Sequence, residues 1–227
     1  MDYGLTQEQQ ILRTAAREFL EAECPTSLVR EVEGSSEGYS PDLWRKIAGL
    51  GWLGISLPER YGGTGGSLTD QTVLFEEIGR ALTPGPLLIS SVLAAHIVLN
   101  AGSDRQKDSL LPGIITGDLV LTLARGEKLE TASRDGGLTL SGESPFVPHS
   151  GLADRIICAT RPAIGAWPDT TLVIVDSQDE RMTKTPMESI ANYPQYLLEF
   201  DDVTISDDSV LGVIAEGQSA LDLAVQR

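Results

Sequence analysis

The chain has 227 residues, 41% hydrophobic and 22% charged, enough to bury a sizeable core and to exclude wholesale disorder. Seventeen Lys and Arg stand against 33 Asp and Glu, a formal net charge of −16. Such a surface repels phosphate backbones and anionic leaflets, so no nucleic acid and no membrane is expected as a partner, although a few local Arg and Lys can still hold one small anionic ligand.

The cysteines Cys24 and Cys158 lie far apart, and the histidines are only His96 and His149. That pattern gives neither a disulfide scaffold nor a zinc site, so no metal is expected. Reduced thiols, and an acidic Asp2 where a leader would be basic, point to a cytoplasmic protein. The longest apolar stretch, Pro86 to Ala101, is too short and too polar to span a bilayer.

The pattern up to Gly117 is helical. Thr6 and Gln9 form a capping-box pair ahead of a stripe that includes Leu12, Ala16, Phe19 and Leu20. Ser40-Pro41 opens a helix that Gly51 stops. Leu53, Ile55 and Leu57 alternate briefly, and Pro58 to Gly66 is a glycine-rich loop. Ser67 or Thr69 opens the next helix, Leu87 to Ala101 reads as a buried helix, and Ser103 to Ile115 as a short one interrupted by Pro112.

After Asp118 the period becomes two, from Leu119 to Ala124. A hairpin-type turn at Gly136-Gly137 and runs at Arg155–Thr160, Thr170–Val175 and Tyr196–Val203 follow without intervening helices. That order predicts an α+β, multi-domain chain: an N-terminal α-helical bundle, then an antiparallel β-barrel or sandwich. From Ala215 the pattern is helical again.

No local motif names a chemistry. Gly62 to Gly66 lacks the spacing and the strand–helix context of a phosphate loop and reads as a permissive turn. Glu76 and Glu77 read as a solvated helix face, with an ion pair for one of them as the alternative. His149 precedes Ser150, but no elbow and no acid accompany them, so a hydrolytic dyad is remote. His96, inside an apolar helix, reads as a satisfied core histidine. Trp44, Trp52 and Trp167 are too scattered to form a stacking stripe.

Several segments in order resemble the acyl-CoA dehydrogenase family. They are Leu5-Thr6-Gln7-Glu8-Gln9, Leu57-Pro58-Glu59-Arg60-Tyr61-Gly62-Gly63-Thr64-Gly65, Glu76-Glu77-Ile78-Gly79-Arg80-Ala81, Gln106-Lys107 with Leu111-Pro112 and Gly117-Asp118, Ala153-Asp154, and Asp201-Asp202-Val203 with Leu211-Gly212. The resemblance implies residues 1–117 as the N-terminal α-helical domain, 118–214 as the middle β domain, and 215–227 as the start of a C-terminal helical domain. It further implies FAD, an acyl-CoA substrate, α,β-dehydrogenation as in fatty-acid or lipid β-oxidation, and a homo- or hetero-oligomer with acyl-CoA dehydrogenase-like subunits.

Matched to the family's flavin-facing stretches, the cofactor contacts fall on Leu123, Ala124, Gly126, Phe146 and Pro148, and the nearest substrate contact is Ser133. Phe146 stands where the family has tryptophan and can still stack on a flavin ring. Gly126 and Pro148 stand where it has threonines and supply no hydroxyl. The family's C-terminal four-helix bundle, which usually carries the catalytic glutamate, is missing beyond its first helix. The resemblance therefore implies a truncated chain and no catalytic residue; Glu199 and Glu216 match nothing catalytic. The alternative is a non-catalytic binding or assembly subunit that completes the site of a longer homologous partner.

Overall fold

The computed structural model describes residues 4–134, 137–162, 170–190 and 193–226. Trp167 and Gly136 of the expected hairpin turn lie outside them.

Helix α1 (Gln7–Glu23) starts on the capping box that the sequence encodes: Gln9 N–H donates to Thr6 Oγ1 (3.2 Å) and Thr6 N–H to Gln9 Oε1 (3.1 Å). Its partner across the bundle, α4 (Leu68–Arg80), starts on a second box, Ser67 with Asp70. The two boxes are joined, because Gln9 Nε2 donates to Asp70 Oδ1 at 2.9 Å. Between them run α2 (Thr26–Glu33) and α3 (Pro41–Gly49), the latter capped by Ser40 with proline at its first position.

Leu53, Ile55 and Leu57 do not form an extended segment. Trp52–Gly54 is a 3₁₀ turn entered through left-handed Gly51, and all three apolar side chains are buried. The glycine loop that follows closes on this turn. Thr64, Gly65 and Gly66 donate their N–H groups to Gly54, Leu57 and Ile55 carbonyls at 2.8–3.1 Å. Those donors are spent within the fold, as a permissive turn requires.

The apolar stretch after Pro86 is buried as expected but is not one regular helix. Leu87–Ala94 is wound as a π-helix and passes into α5 (Ala95–Ala101). Ser91 Oγ donates to Leu87 O at 2.6 Å, occupying a carbonyl that the regular i→i+4 ladder would use. Ser90 Oγ accepts the N–H of Leu121 at 3.1 Å and so ties this helix to the sheet. Helix α6 (Asp104–Thr116) runs straight through Pro112, because burial of Leu111, Ile114 and Ile115 outweighs the one missing donor.

Among the described residues seven strands follow in one sheet: β1 (Leu121–Arg134), β2 (Gly137–Pro148), β3 (Arg155–Pro162), β4 (Thr171–Asp176), β5 (Met182–Met187), β6 (Gln195–Ile205) and β7 (Val210–Leu211), in the order β5-β6-β2-β1-β3-β4-β7. The pairs are antiparallel except β1 with β3, which run parallel. Strands β5 and β7 escape the sequence reading: β5 is a mostly exposed edge with little apolar content, and β7 has two residues.

Alternation sorts the central strands between two cores. Leu121, Leu123, Ile157 and Ala159 pack against the helices. Ala124, Ile156 and Cys158 face the other way, with Val173, Leu198 and Phe200. β4 and β6 stand four places apart in the sheet, roughly 19 Å if flat at ~4.8 Å per strand. Their shared core means that the sheet curls over on itself.

One further expectation is corrected by packing. Glu77 is not on a solvated face. Its side chain is fully buried between Arg17 (2.6 Å) and Arg80 (2.7 Å), while Glu76 is 58% exposed and pairs with Arg13. After Val210, α7 (Gln218–Val225) buries Ala220, Leu221 and Ala224 in the core beside α5, while its large apolar side chains Leu223 and Val225 are exposed.

Candidate functional site

The β1–β2 ladder stops at Leu129 and Gly142. Beyond it side chains bridge the two strands: Ser144 Oγ donates to Arg125 O (2.9 Å), Thr122 Oγ1 to Pro148 O (2.6 Å) and Lys128 Nζ to Glu143 Oε1 (2.5 Å). Since alternate strand residues point their peptide groups to the same edge, those of Leu123 lie on the Arg125 side, toward β2. Leu123 and Ala124 side chains are buried on opposite faces, so their backbone is what faces β2. Gly126 sits against β2, where a Cβ would come within 2.9 Å of Glu143 O.

Opposite these residues, β2 carries a bulge. Ser144 pairs with Leu198 and Val147 with Tyr196, so β2 spends one residue more than β6. Phe146 occupies that extra place with φ 57° and is 57% exposed; its N–H donates to Met187 Sδ at 3.4 Å. Left-handed backbone at a phenylalanine costs on the order of 1–2 kcal/mol, and such strain concentrates at functional sites. The bulge aims an aromatic face outward that regular pleating would have turned in.

Pro148 follows, and its neighbour His149 is again left-handed at φ 53°. The pair forms one wall of a cavity of about 750 Å³. The opposite walls are Val29 and Val32 of α2, Ile78 of α4, the Leu82–Gly85 turn, and Leu88, Ile89 and Leu93 of the π-helix. A second cleft of similar volume, between α6 and the Asp207–Val210 turn, is lined instead by ion-paired groups, Arg105 with Asp208 and Arg155 with Asp176.

Leu123, Ala124 and Gly126 lie along the stretch of β1 that faces the end of β2 carrying Phe146 and Pro148. Ser133 does not: it is exposed nine residues beyond Ala124 along β1, roughly 30 Å at ~3.3 Å per residue. Glu199 is exposed on β6 and Glu216 is exposed before α7. His149 and Ser150 form no dyad, since both His149 Nδ1 and Ser150 Oγ are buried without a partner. His96 is satisfied, its Nε2 lying 3.0 Å from Ser56 Oγ. Among the described residues no group of three or more His, Cys, Asp or Glu could hold a metal, and no helix is long and apolar enough to cross a membrane.

Sequence reasoning missed the cavity. Its signal was the mostly apolar Leu87–Ala101 run behind a Pro-Gly-Pro linker, which gave burial but not the partners that face it.

The sequence model of the acyl-CoA dehydrogenase N-terminal domain family matches residues 6–118. Acyl-CoA dehydrogenase IpdE2 of Mycolicibacterium smegmatis is 28% identical over 226 residues, covering 97% of this chain and 64% of its own length. Acyl-CoA dehydrogenase FadE12 of Mycobacterium tuberculosis is 28% identical over 189 residues, 77% of this chain and 49% of its own. Among solved structures, a variant of the Tcur3481-Tcur3483 steroid ACAD superposes with a TM-score of 0.82 at 28% identity, over 96% of this chain and 59% of that one. The ChsE4-ChsE5 complex of Mycobacterium tuberculosis, at 24% identity and a TM-score of 0.86, shares the fold over 100% of this chain and 60% of that one. The chain therefore spans about half to two thirds of the length of the relatives it matches, and it belongs to the acyl-CoA dehydrogenase family.

Proposed function

We propose that this chain supplies the acyl-binding and flavin-facing surfaces of a flavin-dependent enzyme that dehydrogenates an acyl-CoA thioester between its α and β carbons. FAD, when bound, supplies the hydride acceptor. Leu123 and Ala124 would hold its ring through their backbone, and Phe146 through its exposed aromatic face. Gly126 lets β1 pass close to Glu143 O of β2. Pro148 would stand between flavin and acyl group, with the apolar cavity beside it taking the acyl chain. Ser133 can touch only a distant part of the thioester.

The observation that carries this reading is adjacency: Phe146, which the bulge turns outward, is two residues from Pro148, which with His149 walls the cavity. The residues fit a flavin ring in shape and stacking but offer it few donors. Gly126 and Pro148 carry no hydroxyl, and Thr122 Oγ1 is already committed to Pro148 O. Two missing hydrogen bonds at 0.5–1.5 kcal/mol each weaken binding by roughly ten- to a hundredfold.

Titrating FAD into the purified chain, with flavin fluorescence as readout, tests this. Weak quenching that Phe146→Ala abolishes is the expected result. Quenching that survives the substitution overturns the location, and submicromolar stoichiometric binding overturns the expected weakness.

A second reading, an assembly subunit that completes a longer homologous partner, rests on the outward apolar residues around α7: Val213, Ile214, Leu223 and Val225 are 52–60% exposed. The paired names of the ChsE4-ChsE5 and Tcur3481-Tcur3483 assemblies support a hetero-oligomer of this kind. Light scattering of the chain, alone and with a co-expressed homologue, is expected to show association; a concentration-independent monomer in both cases rejects it.

A further inference from the structure

We propose that β5 is a clamp for the flavin-facing segment, and that Met187 and Lys184 are its positioning residues: they reach across β6 and hold Phe146 to Ser150 in the conformation that presents the Phe146 ring. The inference rests on Phe146 meeting the flavin, as proposed above.

The segment needs holding. It carries two left-handed backbones on residues other than glycine, Phe146 at φ 57° and His149 at φ 53°. Conformations of this kind persist only where the surroundings over-determine them. The ladder cannot do so at Phe146, because the bulge leaves it outside the β2–β6 register, between the Ser144–Leu198 and Val147–Tyr196 pairs. β5 takes the N–H that the ladder leaves over: Met187 Sδ accepts it from Phe146 at 3.4 Å. At the other end of the segment Lys184 Nζ donates to Ser150 O at 3.0 Å. Pro194 O accepts the His149 N–H at 2.9 Å, and Thr122 Oγ1 donates to Pro148 O at 2.6 Å. The main chain is thus gripped along its length, while the Phe146 side chain, 57% exposed, is left out of the grip.

The two β5 contacts are not made between sheet neighbours. β5 pairs with β6, and β2 lies on the far side of β6. From β5 to β2 is roughly 10 Å at ~4.8 Å per strand, so only long side chains span it. β5 adds little else to the fold: it is a mostly exposed edge, and of its residues only Met182 packs against the core that the sheet encloses.

The chemistry of the contacts is unusual for a strand that merely closes an edge. A thioether is a weak acceptor, yet it serves a main-chain N–H at the bulge. Lys184 is half-buried, and burial pushes its ammonium below the usual lysine value, against a smaller upward pull from Asp176. In a chain with 33 Asp and Glu, that ammonium is bonded to a backbone carbonyl. A charge-assisted bond to one main-chain oxygen fixes the position of the turn that follows Pro148.

The test pairs a variant that removes each contact with one that restores it: Met187→Leu against Met187→Gln, whose amide oxygen accepts the N–H, and Lys184→Met against Lys184→Arg. FAD is titrated into each purified chain with flavin fluorescence as readout, and hydrogen exchange of the Phe146–Ser150 stretch is followed by mass spectrometry beside chemical denaturation. Met187→Leu and Lys184→Met are each expected to weaken FAD binding about two- to fivefold, the equivalent of one modest hydrogen bond, and to speed exchange in that stretch. Met187→Gln and Lys184→Arg should recover both. Denaturation midpoints that move while FAD affinity and local exchange stay at the parent's values overturn the clamp. Phe146→Ala separates the two levels. If it abolishes quenching while the β5 variants bind as the parent does, the flavin location stands and the clamp falls. If quenching survives Phe146→Ala, or the parent chain gives none, the location falls and the clamp with it.

Discussion

Trp44 donates its indole N–H to the carbonyl oxygen of Gly117 at 2.9 Å, and that bond sits where the helical layer hands over to the sheet. Gly117 caps α6 in the left-handed region at φ 77°, and a Cβ there would stand 2.8 Å from Trp44 Nε1 and 3.1 Å from Ala48 Cβ. The glycine is needed twice, for its backbone and for the space that the indole takes. Trp44→Phe should lower stability by about 1–2 kcal/mol, since a partly buried carbonyl loses its donor. Gly117→Ala should cost at least as much through strain and clash. Chemical denaturation of each variant and of the double variant checks both, and non-additive losses are expected because the two residues touch.

Glu77 links α1 and α4 through Arg17 and Arg80, and Arg80 also reaches Glu21 at 3.0 Å. The Arg17 hydrogen bond, followed by that of Arg80, overcomes burial and lowers Glu77 from 4.5 to about 2. A depressed carboxylate stabilises the fold above its unfolded value, and that contribution is lost as pH falls from about 4.5 toward 2. Both guanidinium groups are about half exposed, so screening holds the loss in Glu77→Gln to about 1–2 kcal/mol, below the 3–5 of a fully buried pair. The variant's stability should accordingly be flatter than the parent's over that acid window.

His149 predicts a separate window of the same sign. Burial lowers it from 6.5 to about 4. Between those values the unfolded chain binds a proton that the folded chain does not. Stability is then full above about 6.5 and falls as pH drops toward 4. His149→Gln should flatten the denaturation midpoint across pH 4–6.5, with Glu77→Gln leaving that slope in place.

Gly63 lies where a Cβ would be 2.1 Å from Leu57 O and 2.9 Å from Gly54 O, both backbone atoms. Neither can swing aside, so the loop must open or the 3₁₀ turn must shift. Gly63→Ala is expected to lower the melting temperature by roughly 5–15 °C, a loss of about 2–4 kcal/mol. Gly62→Ala meets nothing within 4 Å and carries only the strain of φ 95°, so it should cost less. A larger drop for Gly62→Ala than for Gly63→Ala would contradict the packing.

Short-range chemistry was legible in the sequence. The Thr6–Gln9 box, the Ser40-Pro41 start and the change from helical to strand period near Gly117 are each specified by residues a few positions apart, and each stands in the structure. The ordered segments that resemble the acyl-CoA dehydrogenase family were likewise on the chain. What bears on the site was decided by residues far apart in sequence. Glu77 is buried because Arg17, 60 residues earlier, meets it across the bundle. Phe146 faces out because β2 spends one extra residue between its Ser144 and Val147 pairings with β6, which no local pattern records. The cavity exists because α2, the π-helix and the Pro148–His149 wall leave a gap that their own periodicities do not encode. Hydrogen-bonded caps and turns close within a few residues and can be read one at a time. Bulges, buried ion pairs and cavities are properties of two surfaces meeting, and only the folded chain sets those surfaces together.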